Sequence, residues 1–177
     1  MKKISSVNVK KQRGFSLISV LLGGIAVLVA LAGVMALVQN TTTNTKLNET
    51  ESILSSLKSD IIRLYGSPAD FTGLDNATVI KAGLIPPSKV TGATTISHPF
   101  GGAINIEPDT VVPNIFKITL TAIDKEPCMS LAVFSHGDWV AVEVGGKAIT
   151  QSATRSAAVK EALANCADGV DIVWKSQ

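Results

Sequence analysis

This chain of 177 residues has few of the side chains that most catalytic and metal sites use. Its two histidines, His98 and His136, stand alone beside Pro and Gly, which favours turn or surface positions over ligand positions. Its two cysteines are too far apart in sequence for a structural zinc site. The sequence also lacks a glycine-rich phosphate loop, a nucleophile elbow and an HExxH motif. We therefore predict no enzyme activity, no cofactor and no metal.

Basic charge is concentrated at the start of the chain. Residues 1–14 carry five basic side chains and no acidic one, which leaves 11 basic and 14 acidic side chains in the remainder. The remainder therefore has no basic stripe that could follow a phosphate backbone, and no nucleic acid binding is expected. Residues 15–38 carry no charge at all. As a helix this run would be about 36 Å long, which is enough to cross a bilayer.

Two general interpretations of residues 1–38 are available. A secretory signal peptide would be cut at a small-residue site such as Val34–Ala36, but its apolar stretch is normally only about 7–15 residues long. A plain membrane anchor fits the length of the run. Basic residues before the run and none close behind it predict a cytoplasmic leader and an external C-terminal domain.

A third interpretation comes from the junction between the basic leader and the apolar run. The segment Lys11–Ile18 resembles the recognition site of prepilin peptidase, in which a basic leader ends in Gly and the mature chain starts with Phe. In type IV pilins the enzyme cuts after this Gly on the cytoplasmic side and N-methylates the new terminal residue. The resemblance implies cleavage between Gly14 and Phe15, with methylation of Phe15. The apolar run then stays in the mature protein.

One position departs from the pilin pattern. Most pilins have Glu at the fifth mature position, where this chain has Ser19. In the family the Glu is thought to pair with the terminal amine of a neighbouring subunit, because an unpaired charge in an apolar core would cost several kcal/mol. Either this filament docks its subunits differently, or the protein is a minor subunit with no neighbour above it.

The apolar run leads into an amphipathic segment, residues 39–65. Its first residues, 39–45, are Thr- and Asn-rich and predict a loosened or bent helix. Beyond them, apolar side chains recur on one helical face and Gly66 ends the pattern. The members of that face are Leu47, Leu54, Leu57, Ile61 and Leu64. A helix from Phe15 to Tyr65 would be about 76 Å long.

Residues 66–177 predict a globular α+β head with an antiparallel sheet and short helices. Asp75 is a suitable N-cap for a short helix that stops at Gly83. Strands are predicted at 103–106, 116–122, 139–144, 147–150 and 171–175, and helices at 128–134 and 156–166. Ala157, Val159, Ala162 and Leu163 are expected to be available for burial on the last helix. Trp139 and Trp174 are expected to fill the core.

Several motifs of the head resemble the type IVb pilins, particularly those of conjugative thin pili and bundle-forming pili. They are Ile62–Gly66, Phe71–Leu74, Ile80–Gly83, Pro99–Gly102, and a Cys just after Pro127 with a late second Cys. If the chain is exported, Cys128 and Cys166 are expected to form a disulfide, because two thiols in an oxidising compartment normally pair. By the resemblance, the loop that they close is the D-region, which carries much of the outer surface of a pilus.

The resulting hypothesis is a structural subunit that polymerises through its N-terminal helix into an extracellular filament for adhesion, aggregation or conjugation. Its expected partners are copies of itself, prepilin peptidase, the inner-membrane pilus assembly machinery and, before assembly, the membrane. The division is a leader at 1–14, an assembly helix at 15–38, its amphipathic half at 39–65 and a head at 66–177. The alternatives are a minor pilin or type II secretion pseudopilin, and a membrane-anchored periplasmic protein that does not polymerise.

Overall fold

The computed structural model describes residues 17–66, 70–151 and 153–177, with side chains from residue 41 onward. The chain forms two compact units, Met1–Thr41 and Thr42–Gln177. Its elements are helices α1 (Leu17–Tyr65), α2 (Asn76–Lys81), α3 (Lys125–Ala132) and α4 (Arg155–Asn165), a 3-10 turn at Pro87–Lys89, and strands β1 (Ile96–Ser97), β2 (Ala103–Pro108), β3 (Phe116–Ile123), β4 (Ala141–Val144), β5 (Lys147–Ile149) and β6 (Val170–Ser176).

Helix α1 is a single helix of 49 residues. The Thr- and Asn-rich stretch at 39–45, where the sequence predicts loosening or bending, is helical throughout. In the second unit the prediction of a buried apolar face on α1 is mostly confirmed, because Leu54, Leu57 and Ile61 are fully buried. Leu64 is an exception, since 49% of it is exposed. The apolar face therefore covers the sheet through its central turns and leaves one leucine of its last turn on the surface.

The six strands form one antiparallel sheet in the order β1-β2-β3-β6-β4-β5. The C-terminal strand β6 pairs with both β3 and β4, so the last part of the chain lies inside the sheet. Side chains alternate between buried and half-exposed along β3 and β6, as expected of a sheet with one covered face. The covered face packs with α1 in one core.

Two groups of aromatic side chains pack together in the head. The Phe71 and Phe116 rings lie 4.8 Å apart, and Tyr65 packs on the other side of Phe71 at 5.4 Å. Trp139 and Trp174 are both buried, as predicted, with their rings 6.4 Å apart. The strand near Trp139 begins two residues later than the sequence predicts, at Ala141.

Helix α2 closes the edge of β2 beyond the two-residue strand β1. Asp75 caps it, accepting a hydrogen bond from the backbone N–H of Thr78. The next residue, Asn76, donates from Nδ2 to the Ile104 carbonyl at 2.9 Å and accepts at Oδ1 from the Ile106 N–H, also at 2.9 Å. These are the bonds that a neighbouring strand would make. The Asn76 carboxamide therefore substitutes for a strand and protects the edge from pairing with another chain.

Replacing Asn76 with alanine is expected to lower the free energy of unfolding by about 2–3 kcal/mol, because the N–H and carbonyl groups of β2 lose their partners. Asn76→Asp is the matched variant. It keeps the acceptor for Ile106 but loses both donors and places a carboxylate against the Ile104 carbonyl, so it should be at least as destabilising at neutral pH. Urea unfolding in detergent micelles measures both variants. A loss below about 0.5 kcal/mol for Asn76→Ala would show that the edge needs no side-chain partner.

Helices α3 and α4 lie side by side next to β4, β5 and β6. Helix α4 is capped by the Thr154 hydroxyl, which accepts from the Ala157 N–H. It buries Ala158 and Ala162, whereas Val159 and Leu163 are 38% and 49% exposed. The prediction that Val159 and Leu163 are buried is therefore wrong. The small side chains face inward, which lets the helix pack closely, and the larger ones face solvent.

Candidate assembly surfaces

The residues predicted for processing lie at the start of the chain. Gly14 and Phe15 are outside the described residues, and so is the whole leader at 1–14. Ser19 lies within α1, where only the backbone is described. The predicted cleavage, methylation and docking roles of these residues therefore remain predictions. Among the described residues, no helix meets the length and hydropathy needed to cross a membrane.

Cys128 and Cys166 form a disulfide that joins α3 to the residue after α4. Their Cα atoms are 5.8 Å apart and both side chains are buried. The loop between them contains β4, β5 and most of both helices. The disulfide therefore closes this part of the head into one covalently bounded lobe, which we call the disulfide lobe (residues 128–166).

Lys58 attaches the disulfide lobe to α1. Its ammonium donates a hydrogen bond to the Asp138 carbonyl and lies 4.6 Å from the centre of the Trp139 ring. Burial lowers the pKa of Lys58, an effect that the nearby Asp138 partly opposes. The carbonyl and the aromatic face thus compensate a partly desolvated charge. The sequence offered no signal for this contact, because an isolated lysine on a helix is normally a solvated side chain.

Glu161 ties α4 to the end of β5. One of its carboxylate oxygens accepts from the Thr150 N–H at 2.6 Å and the other accepts from the Thr150 hydroxyl at 3.0 Å. Hydrogen bonds to a charged acceptor are stronger than neutral ones. The disulfide and this pair thus brace the lobe internally, and Lys58 attaches it to α1.

Two apolar surfaces remain exposed in the described part of the second unit. The first, which we call the distal surface, consists of Leu64, Val111, Val112 and Val140. These residues lie at the end of the sheet where α1 ends. The Phe71 N–H bonds to the Pro113 carbonyl there, and the Val140 N–H bonds to the Lys175 carbonyl. Val111 is 83% exposed.

The second surface, which we call the α4 surface, consists of Val159 and Leu163, one turn apart on α4. Beside it, α1, α3 and α4 border an open groove of about 620 Å³ whose lining includes Met129 and Phe134. Glu51 and Arg155 face each other across this groove. Burial raises the pKa of Glu51, and the Arg155 charge partly opposes that rise.

The distal surface was not predicted from the sequence. Val111 and Val112 lie in the connection between β2 and β3, between turn-forming residues on both sides. Asp109 builds this turn, since its carboxylate accepts from the N–H groups of both valines. Two adjacent valines in a surface turn cannot be buried in the core. Apolar side chains between turn-forming residues are therefore the sequence signal that could have identified this surface.

The described residues contain no group of three or more His, Cys, Asp or Glu side chains placed to bind a metal. An open cleft of about 820 Å³ is lined by acidic and basic side chains together, including Lys46, Lys125, Glu126 and Asp168. His98 lies in a turn, as predicted, but it is buried; His136 is half-exposed and contacts the Thr150 carbonyl. The features that stand out are thus surfaces suited to other protein molecules.

Comparison with known proteins agrees with this description. The family model of bundlin matches residues 39–173. The major structural subunit of the bundle-forming pilus of Escherichia coli O127:H6 (strain E2348/69 / EPEC) is 34% identical over 134 residues, which cover 74% of this chain and 69% of that protein. The corresponding subunit of Escherichia coli O111:H- matches to the same extent.

The fold is also that of a solved pilin. TcpA, a type IV pilin from the Vibrio cholerae El Tor biotype, superposes with a TM-score of 0.53 at 17% identity, over 75% of this chain and 99% of that one. At this identity the likeness shows the fold alone. The fold, the family match and the identity to pilus subunits agree with each other. The chain belongs to the bundlin family and is a type IVb pilin, a structural subunit of an extracellular pilus and not an enzyme.

Proposed function

We propose that the chain is made as a precursor whose leader, residues 1–14, is removed by prepilin peptidase between Gly14 and Phe15. The mature protein then begins with an N-methylated Phe15 and keeps the uncharged run at 15–38. Before assembly this run holds the subunit in the bacterial inner membrane with its head outside the cytoplasm. The observation that carries the proposal is the join between a basic leader ending in Gly and 24 uncharged residues.

The same run is the assembly element. The inner-membrane machinery extracts it from lipid, and runs from neighbouring copies bundle along the filament axis. The glycines within it, Gly23, Gly24 and Gly33, allow close approach between helices in an apolar environment. Keeping such a run out of water stabilises the filament by an amount on the order of tens of kcal/mol per subunit, at about 25 cal/mol per Å². Subunits therefore do not escape once the filament is in water.

The head continues this assembly element without an intervening linker. Helix α1 covers Leu17–Tyr65, and its C-terminal half supplies Leu54, Leu57 and Ile61 to the core of the head. The head and residues 42–65 of α1 therefore act as one body. A filament built on the run at 15–38 displays this body on its outside.

We propose that the distal surface of one subunit packs on the α4 surface of the next. A filament requires two unlike patches that meet head to tail, because like-to-like contacts close into dimers. The two surfaces lie at different levels along α1. The distal surface contains Leu64, whereas α4 begins beside Glu51, about 20 Å away at 1.5 Å per residue. A shift along α1 thus brings one surface to the other.

As relatives with 34% identity are major structural subunits of a bundle-forming pilus, we propose that this chain is a major subunit whose filaments associate laterally, supporting adhesion and aggregation. Ser19 favours a second candidate, a minor pilin, because it lacks the carboxylate that most pilins have at that position. Abundance in sheared filaments separates the two. The variant Ser19→Glu tests docking directly: faster assembly would mean that the missing carboxylate limits it.

Mass spectrometry of the N-terminus of the cell-associated and sheared protein tests the processing proposal. We expect a methylated Phe15 start in wild type. In the variant Gly14→Val we expect an unprocessed chain that keeps its fourteen leader residues and forms no filaments. Gly33→Val is the matched control, with the same substitution away from the junction and processing retained. A wild-type start at Leu37, or an intact leader in filaments, would contradict the proposal.

A further inference from the structure

A β-bulge in β3 leaves two backbone groups for side chains to satisfy. The register between β3 and β6 shifts after Leu120, and Ala122 at the shift has a positive φ of 57°. The Ala122 N–H donates to the Asp171 carboxylate at 3.1 Å. The Thr121 carbonyl lies 2.9 Å from Nε2 of His98, in the turn between β1 and β2.

Both ring nitrogens of His98 are engaged, and the partners define its protonation. The Phe100 N–H donates to Nδ1 at 3.2 Å, so Nδ1 must carry a lone pair. The Thr121 carbonyl can only accept, so Nε2 must carry the proton. His98 as a whole residue is 3% exposed, so water has little access to either partner. The neutral Nε2–H tautomer is therefore built into the turn.

Gly102 provides the space for this arrangement. A Cβ atom at Gly102 would lie 1.9 Å from the Thr121 carbonyl oxygen and 2.5 Å from Nε2 of His98. The turn is also closed by its own backbone, with the His98 N–H bonded to the Gly102 carbonyl at 3.1 Å and the Gly101 N–H bonded to the His98 carbonyl at 3.0 Å. The His98 ring and the turn at 98–102 thus pack together against the bulge of β3.

We propose that His98 is an acid-released latch. Its neutral ring holds the turn at 98–102 on the bulge of β3, and a proton on Nδ1 opens the turn because that nitrogen then faces the Phe100 N–H as a second donor. Opening withdraws the Phe100 ring, which lies 5.8 Å from the Lys46 ammonium on α1. The latch therefore couples pH to the contact between this turn and the first turns of α1 in the head.

The charged groups around the turn at 98–102 do not prevent protonation of His98 from opening it. Asp171 is the acidic group beside the bulge, and its carboxylate is occupied by the Ala122 N–H. The cleft that Phe100 borders carries Lys46, Asp124, Lys125, Glu126 and Asp168, which have both signs. Burial lowers the pKa of His98 from its ordinary 6.5, and the bond to Thr121 partly opposes this.

The direction of the pH effect follows from that shift. The open turn takes up a proton at a higher pH than the closed turn, so closing is favoured as pH rises. The latch contributes fully above the ordinary value of about 6.5 and is lost as pH falls through the lower value of the closed state. Between these two values the protection of the Phe100 amide should fall about tenfold per pH unit, and below the lower value it should level off.

Hydrogen exchange of the full chain in detergent micelles, between pH 7.5 and 4.5, tests the latch. We expect the protection factor of the Phe100 amide to fall in acid while that of the Leu120 amide in the sheet stays constant. His98→Asn keeps an acceptor for Phe100 and cannot titrate, so its protection at Phe100 should not depend on pH. His136→Gln is the matched control and should retain the wild-type dependence.

Nitrogen NMR of the His98 ring in the wild type gives a readout that needs no variant. We expect the Nε2–H tautomer at neutral pH and a His98 pKa below the ordinary 6.5. Flat protection at Phe100 down to pH 4.5, an Nδ1–H tautomer, or unchanged pH dependence in His98→Asn would each overturn the latch.

Discussion

Leu57→Ala is expected to lower the free energy of unfolding by about 3–5 kcal/mol, which is a large part of the stability of a domain this size. Leu57 lies on the face of α1 that covers the sheet and is fully buried, together with its neighbours Leu54 and Ile61. The substitution removes three buried carbons and leaves a cavity that the rigid sheet cannot fill. Urea or thermal unfolding of the chain in micelles measures the loss.

Leu64→Ala is the matched control, since it makes the same change two turns further along the same helix. Because 49% of Leu64 is exposed, its loss should change the free energy of unfolding by less than about 1 kcal/mol. It also belongs to the distal surface, so it should lower filament yield in cells although the head stays stable. Equal destabilisation by the two variants would contradict the observed burial, and an unchanged filament yield would contradict the proposed distal contact.

Removing the disulfide with Cys128→Ala and Cys166→Ala is expected to cost about 3–4 kcal/mol, by the entropy of closing a loop with a sequence separation of 38 residues. Both side chains are buried, so alanine is the suitable replacement. The loss should be concentrated in the disulfide lobe, whose amides should exchange faster than those of β2 and β3.

Reduction of the wild-type protein under native conditions provides the comparison for that double variant, because it opens the same loop without removing the sulfur atoms. The reduced wild type and the double variant should have free energies of unfolding that agree within about 1 kcal/mol. A reduced or doubly substituted protein as stable as the wild type would mean that the pairing of β4 with β6 and the Lys58 contact hold the lobe in place without the disulfide.

Much of the fold could be predicted because its signals are local. The Asp75 cap, the end of α1 before Gly66 and the turn at 98–102 depend on residues within one or two turns. Strand alternation likewise revealed β2 and β3. The disulfide followed from a general rule about exported thiols, and it is present between the expected cysteines.

Features that depend on distant parts of the chain could not be predicted. The position of β6 between β3 and β4 is set by pairing across the whole sheet. Either Leu64 or Tyr65 could follow Ile61 on the buried face, and the choice falls to Tyr65 because its ring packs on Phe71. The exposure of Val159 and Leu163 arises because α4 packs through small side chains.

The same holds for the residues with special roles. Asn76 and His98 satisfy backbone groups of β2 and β3 that are exposed only by a short edge strand and by a bulge. Neither irregularity has a sequence signal that could be read without the sheet in place. Lys58 is similar, because its partner carbonyl is 80 residues away.

The central claim is that copies of this chain join through the uncharged helix at their N-termini. A reconstruction of the native filament that resolves individual helices tests it most directly. We expect residues 15–38 of neighbouring subunits to be in contact along the axis, with the heads outside. A filament whose subunits begin beyond residue 38, or whose axis is built from the heads, would contradict the claim.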